Sequence, residues 1–258
     1  MDRHYISPET EAALVAYVEN RKCAYLEDTE FRLNQYRPID DIRRLIKNKQ
    51  VAWPYRCTLG VISALFETLL PGRLFGGDHY NPWSNTVHVY SDHPAVLMHE
   101  AGHAYDFSKQ RYKGTYGLVR ILPLVPLWQE FKATDDAIDF MIESGDRRNE
   151  IRAYKILYPA YGTYMGRYFI FPLNFAVVLA GHIHGRATAR EREKFYQRFD
   201  AQQQTSELFE SDLLPIITLE DLRLSFEDLN ANSASEPDTA LHLELASGAA
   251  MDPETARP

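Results

Sequence analysis

The sequence predicts an α+β domain that is mostly helical and carries one small sheet. Three observations predict it. Apolar residues recur at helical spacing in segment after segment. A single short β-branched run stands at 86–90, and capping or breaking residues separate the helical segments. The 258 residues are 45% hydrophobic and 25% charged, enough for a core, and 13 glycines and 14 prolines exclude a collagen-like or wholly disordered chain.

The elements follow in order. Ser7-Pro8-Glu9-Thr10 opens a helix over 7–22, capped by Ser7 with proline in its first turn and Leu14, Val15 and Val18 at helical spacing. A second amphipathic helix over 39–46 aligns Ile42, Leu45 and Ile46, so residues 9–50 read as helical throughout. A short buried helix is expected over 59–70, closed by Pro71-Gly72 and the loop Gly76-Gly77-Asp78. Thr86-Val87-His88-Val89-Tyr90 reads as a strand. Asp92 or His93 can then cap a helix that starts at Pro94 and runs to about Lys109. Further helices are expected over 133–144 and, after Gly145-Asp146, from Arg147 onward.

Two apolar stretches, 118–128 and 168–181, raise the question of a membrane. The second has Asn174 as its strongly polar residue and is followed by Arg186, Arg190, Arg192, Lys194 and Arg198. A spanning helix needs about 20 apolar residues, so the stretch reads as a buried core helix, with membrane contact through 168–181 as the alternative. Residues 1–229 are expected to form one domain with an N-terminal helical part, and 230–258 a disordered acidic tail. From Glu207 onward, 12 acidic residues stand against Arg223 and Arg257, a net of −10 that leaves +2 of the total −8 for the body. That balance argues against nucleic acid as a partner. Cys23 and Cys57 are too few for a disulfide scaffold, and no secretory signal is readable at the start, so a cytoplasmic location is expected, with membrane association as the alternative.

The chemistry is concentrated in His99-Glu100-Ala101-Gly102-His103. Histidines at i and i+4 share a helix face, so both imidazoles reach one ion, and Glu100 stands beside it to take a proton from a zinc-bound water. Gly102 leaves room for another helix to pack close. A catalytic zinc wants a third protein ligand and an open fourth position. Glu150, near the start of its helix with small Ala153 one turn on, is the expected third ligand. Glu143, Asp135, Asp136, Asp139, His182 and His184 compete with it. Asp106 lies too far along the helix to share the ion and is expected to hold the ring of His103 instead. Tyr154, Tyr158, Tyr161, Tyr164 and Tyr168 recur at spacings that align them with Glu150 if the helix continues through Pro159. Packing explains such a stripe, and Tyr154 or Tyr158 could also donate to an oxyanion.

His99-Glu100-Ala101-Gly102-His103 followed by Asn149-Glu150 and Ala153 resembles the gluzincins, the zincin metallopeptidases of thermolysin type. The string through Asp106 is also similar to that of the bacterial titration-factor peptidases. The resemblance covers roughly 86–154 and departs at Tyr154, where many gluzincins carry an aspartate. It implies a zincin-like fold with a small sheet beside the motif helix, Zn2+ held by His99, His103 and Glu150, and Glu100 as base. It also implies that residues 86–90 form an edge strand on which a peptide lies extended. The expected function is zinc-dependent hydrolysis of a peptide or protein substrate. The alternatives are a non-catalytic, zinc-stabilised binding or regulatory protein, and hydrolysis of something other than a peptide.

Overall fold

The computed structural model describes residues 6–72, 74 and 77–213, with side chains described as far as 208. The 229 boundary and the tail over 230–258 lie outside the described residues. By its internal packing the chain divides into Met1–Arg198 and Phe199–Pro258. The protein is α+β and mostly helical, with one three-stranded mixed sheet.

Ser7 caps α1 (Pro8–Arg21), its hydroxyl accepting from the Thr10 amide. A single turn, α2 (Ala24–Glu27), leads into β1 (Glu30–Leu33), a strand inside the region expected to be helical throughout. Its four residues are too few to show an alternating pattern against the flanking helices. α3 (Pro38–Lys47) forms as expected, but only Leu45 of its apolar face is buried, while Ile42 and Ile46 face outward. A turn, α4 (Trp53–Tyr55), and a π-helical turn over Arg56–Gly60 then feed α5 (Val61–Leu69). This helix is on the surface rather than buried. Ile62, Leu65, Phe66 and Leu69 are exposed, and it is Ser63 and Glu67 that reach inward, both accepting from the Asn81 amide group.

β2 (His79–Asn81) and β3 (Thr86–Val89) complete the sheet in the order β1-β3-β2. β3 pairs parallel with β1, setting Phe31 beside Val87, and antiparallel with β2, setting Tyr80 beside Val87. The strand expected at an edge is therefore central and buried along its length, because the unforeseen β1 takes its free side.

α6 (Pro94–Ser108) runs through the middle of the core, with Leu97, Met98, Ala101 and Ala104 wholly buried. Val87 and Val89 of the sheet, Leu14 and Tyr17 of α1, and helices α8 (Val125–Glu143) and α9 (Arg147–Gly166) surround it. Asp92 does not cap α6. Its Oδ1 accepts from the Ser7 amide at 2.9 Å, the Ser7 hydroxyl at 2.8 Å and the Thr10 hydroxyl at 2.7 Å, tying the start of α1 to the sheet end. His93 is the cap residue by backbone conformation.

After α7 (Lys113–Leu118) and a 3-10 turn, α8 begins at Val125, eight residues before the expected start at 133, with proline in its first turn. α9 continues through Pro159. The apolar stretch over 168–181 ends in α10 (Leu173–Leu213) and is not a core helix: Ile170 is 85% exposed and Phe175 64%. Among the described residues no helix is long and apolar enough to cross a membrane.

Candidate metal centre

The site depends on how closely α8 approaches α6. A Cβ on Gly102 would stand 3.0 Å from the Ala133 carbonyl oxygen and 3.2 Å from the Ala133 Cα, so the missing side chain is what lets the two backbones meet. Space at Gly102 was expected from the sequence, and α8 fills it. With Ala133 and Ala137 seated against α6, the neighbouring positions Glu130 and Thr134 share that face at i and i+4. Both then reach His99.

Three donors converge there. Glu130 Oε2 lies 3.0 Å from His99 Nε2, and Glu130 Oε1 lies 3.5 Å from His103 Nε2. All three side chains are buried, and their candidate ligand atoms lie within 4.8 Å of one another. Thr134 Oγ1 sits 3.2 Å from His99 Nδ1 and can accept its proton, which leaves Nε2 bare on the side of Glu130. Arg120 approaches Glu130 Oε1 at 3.3 Å. Burial disfavours the charge on Glu130, yet His103 and His99 outweigh it and hold the carboxyl far below the usual carboxylate range. In return, although burial alone would lower it, Glu130 and Glu100 raise His99 above its ordinary value.

Two imidazoles and one carboxylate are a donor set that suits zinc. The geometry accommodates an ion between them: with the His99 proton on Nδ1 against Thr134, its Nε2 offers a lone pair beside the charged Glu130 carboxylate. Glu100 is buried beside the group, and its charge is felt at His99 and at the Tyr164 hydroxyl. Burial first, then Glu130 and Glu100, push that hydroxyl well above its ordinary value.

Other expected site residues lie elsewhere. Glu150 is fully buried but is held by Arg192, whose Nε is 2.5 Å from Oε1, and by the Tyr196 hydroxyl. It serves to join α9 to α10, and Glu130 takes the position expected of it. Asp106 accepts from Tyr116 and Lys132 rather than from His103, so it ties α7 and α8 to α6. Tyr154 packs edge-on against Tyr158, and burial with the nearby Glu150 charge pushes its hydroxyl up to about 12. The tyrosines whose hydroxyls feel the Glu130 charge are Tyr161 and Tyr164. Among the competitors, Glu143 and Asp136 pair with Arg21, His182 lies beside Arg186, and His184 stacks on Tyr158. Asp135 lines an apolar cavity of about 500 Å3 between α8, α9 and α10, with Phe131, Thr134, Ile138 and Tyr161.

Glu130 escaped sequence reading because 118–128, with its two prolines, looked like an apolar segment detached from the following helix. Once the helix is extended back to Val125, Glu130 falls one turn before the Ala133 that Gly102 receives. No model of a known protein family, no curated protein and no solved structure matches the chain.

Proposed function

We propose that the protein is a zinc-dependent hydrolase of the peptidase class, with His99, His103 and Glu130 as the metal ligands. The observation that carries this reading is the convergence of His99 Nε2, His103 Nε2 and the Glu130 carboxylate, with Thr134 behind His99. Zinc held there would supply Lewis acidity, polarising a carbonyl and lowering the pKa of water toward about 7. Glu100 would take the proton of the attacking water and pass it to the leaving amine. Arg120 would orient the Glu130 carboxylate through Oε1, and Tyr164, which feels the charge of both Glu130 and Glu100, would be the hydroxyl to donate toward the substrate carbonyl as charge develops. The apolar cavity that shares Thr134 with the site offers room for an apolar side chain of a peptide or protein substrate. The resemblance to gluzincins supports the same reaction, with the third ligand supplied by Glu130.

A second reading is favoured by one observation: His99, His103 and Glu130 are 2–8% exposed. A group so enclosed suits a structural zinc in a non-catalytic binding protein. The deciding experiment pairs metal analysis with a peptide-library assay on wild type and Glu100→Gln. Bound zinc with hydrolysis that Glu100→Gln removes supports the peptidase; bound zinc without hydrolysis supports the structural reading. The free cysteines Cys23 and Cys57 are consistent with the cytoplasm as the proposed compartment, and exposed Ile170, Phe171 and Phe175 with peripheral membrane contact through 168–181.

A further inference from the structure

A second set of metal-binding side chains converges where α3 and α5 meet the sheet, and the hydrolytic reading uses none of them. The antiparallel register sets His79 directly opposite His88, and their rings stack with centroids 4.8 Å apart. α5 brings Glu67 to both rings. Its Oε1 is 3.3 Å from His79 Nε2 and its Oε2 is 3.9 Å from His88 Nε2. α3 adds Asp41, whose Oδ2 is 4.0 Å from His88 Nε2.

These separations exceed the about 2.7–3.2 Å of a hydrogen bond. They bracket the edge of a tetrahedron, about 3.4 Å, around an ion with bonds of about 2.1 Å. The ligand atoms of Glu67, His79 and His88 lie within 4.8 Å of one another. Asp41, Glu67, His79 and His88 line a cavity of about 10 Å3, the size that holds a single water or ion.

The hydrogen-bond ledger gives an independent sign. His79 Nε2, His88 Nε2 and Glu67 Oε2 are buried, and among the described residues none of them has a hydrogen-bond partner, while Asp41 Oδ1 faces Arg32 Nε at 3.5 Å. Three orphaned polar atoms in one small cavity are well above what native interiors tolerate. His88 is 3% exposed. The tautomer of His79 points the same way. Its Nδ1 stands 3.1 Å from the Gly77 carbonyl, which can only accept, so the ring proton is on Nδ1 and Nε2 faces the Glu67 carboxylate. A second proton on His79 would relieve that one contact and leave His88 Nε2 and Glu67 Oε2 still unpaired. A cation in the cavity answers all of them.

We propose that Glu67, His79 and His88, with Asp41 beside them, form a second binding site for a divalent transition-metal ion of the zinc class, distinct from the His99–His103–Glu130 group. Its role is structural. The ligands come from α5 and two strands, with a carboxylate of α3 at hand, so protein donors close the coordination. The ion clamps the surface helix α5, whose large apolar side chains face outward, to the sheet. This inference does not rest on the hydrolytic reading.

The test uses the full chain, stripped with a chelator and reloaded with Zn2+ or Co2+, with stoichiometry by elemental analysis. Wild type should bind two ions per chain. His99→Ala/His103→Ala should keep one, and Glu67→Gln/His88→Gln should keep one with a lower Tm in zinc. Glu67→Gln retains an oxygen for the Asn81 amide, from which Glu67 accepts at 2.7 Å. One ion in wild type, kept by the first double variant and lost by the second, would uphold this site while sinking the first. One ion lost only with His99 and His103, or two ions unaffected by the Glu67/His88 changes, would overturn it. Should Glu67→Gln/His88→Gln fail to fold, the Co2+ spectrum of folded His99→Ala/His103→Ala decides. Ligand-field bands uphold the site, and their absence overturns it.

Discussion

Thr134→Val tests the His99–His103–Glu130 site at a residue that touches no metal. The two side chains are nearly isosteric, so packing between α6 and α8 is kept. What is lost is the acceptor 3.2 Å from His99 Nδ1. In the metal-free protein the loss is small, because the ring can move its proton to Nε2 and donate to Glu130 Oε2, 3.0 Å away. Metal binding forbids that escape, since it needs Nε2 bare and so leaves a buried Nδ1–H without a partner. An unsatisfied buried donor costs about 1–3 kcal/mol, which corresponds to about 5- to 150-fold in affinity. Outer partners of ligating histidines elsewhere are worth about 10–100-fold, in agreement. The expected result is a zinc Kd raised by about 10–100-fold with metal-free stability changed by under about 1 kcal/mol. A chromogenic chelator competition gives the first quantity and urea unfolding in excess chelator the second. An unchanged Kd would refute the argument. So would equal losses of stability and affinity, because the tautomer switch would then not operate.

Glu100→Gln should retain zinc and fold while hydrolysis of a peptide library falls by at least about 100-fold, the scale of general-base catalysis. Glu130→Ala should abolish stoichiometric zinc at that site, whereas Glu150→Ala should leave it in place and lower stability instead, by about 1–3 kcal/mol, because Arg192 and Tyr196, both part-exposed, lose their acceptor; the reverse pattern in elemental analysis and urea unfolding would return the third ligand to α9. Phe175→Asp should change stability by no more than about 0.5 kcal/mol, since the ring is 64% exposed. The same substitution should weaken sedimentation with anionic vesicles if 168–181 is a membrane-contacting surface; unchanged, salt-resistant sedimentation would place the contact elsewhere.

The helices most legible in the sequence carry their own local punctuation. Ser7 with Pro8, Pro94 after a polar stop, and Asp146 before Arg147 each mark a start within a residue or so of where the helix begins. Errors arose where tertiary partners decide. β1 is four residues among helices and exists because β3 offers it a parallel neighbour, a pairing that no local pattern encodes. α5 is apolar enough to look buried, yet its few inward positions carry Ser63 and Glu67, and its apolar side chains are left outside. The periodicity of α5 states that a helix forms; which face the molecule covers depends on elements far away in sequence.

The site shows the same division in sharper form. His99, Glu100 and His103 are legible because one helical turn sets their geometry, and Gly102 is legible as a place of close approach. The identity of the approaching helix is a long-range fact. Glu150 and Ala153 on one helix, and Glu130 and Ala133 on another, present the same local chemistry: a carboxylate one turn before a small residue. The choice between them rests on competition for partners. α10 supplies Arg192 and Tyr196, which take up the Glu150 charge, and the charge of Glu130 finds the two histidines and Arg120. Both oxygens of Glu150 are taken, one by Arg192 and one by Tyr196, whereas Glu130 meets Arg120 at Oε1 alone and turns an oxygen to each imidazole. On the proposed metal reading the third ligand is therefore set by where the cations of the fold are placed, and Arg192, forty-two residues beyond Glu150, is as much a part of that choice as Glu130 itself.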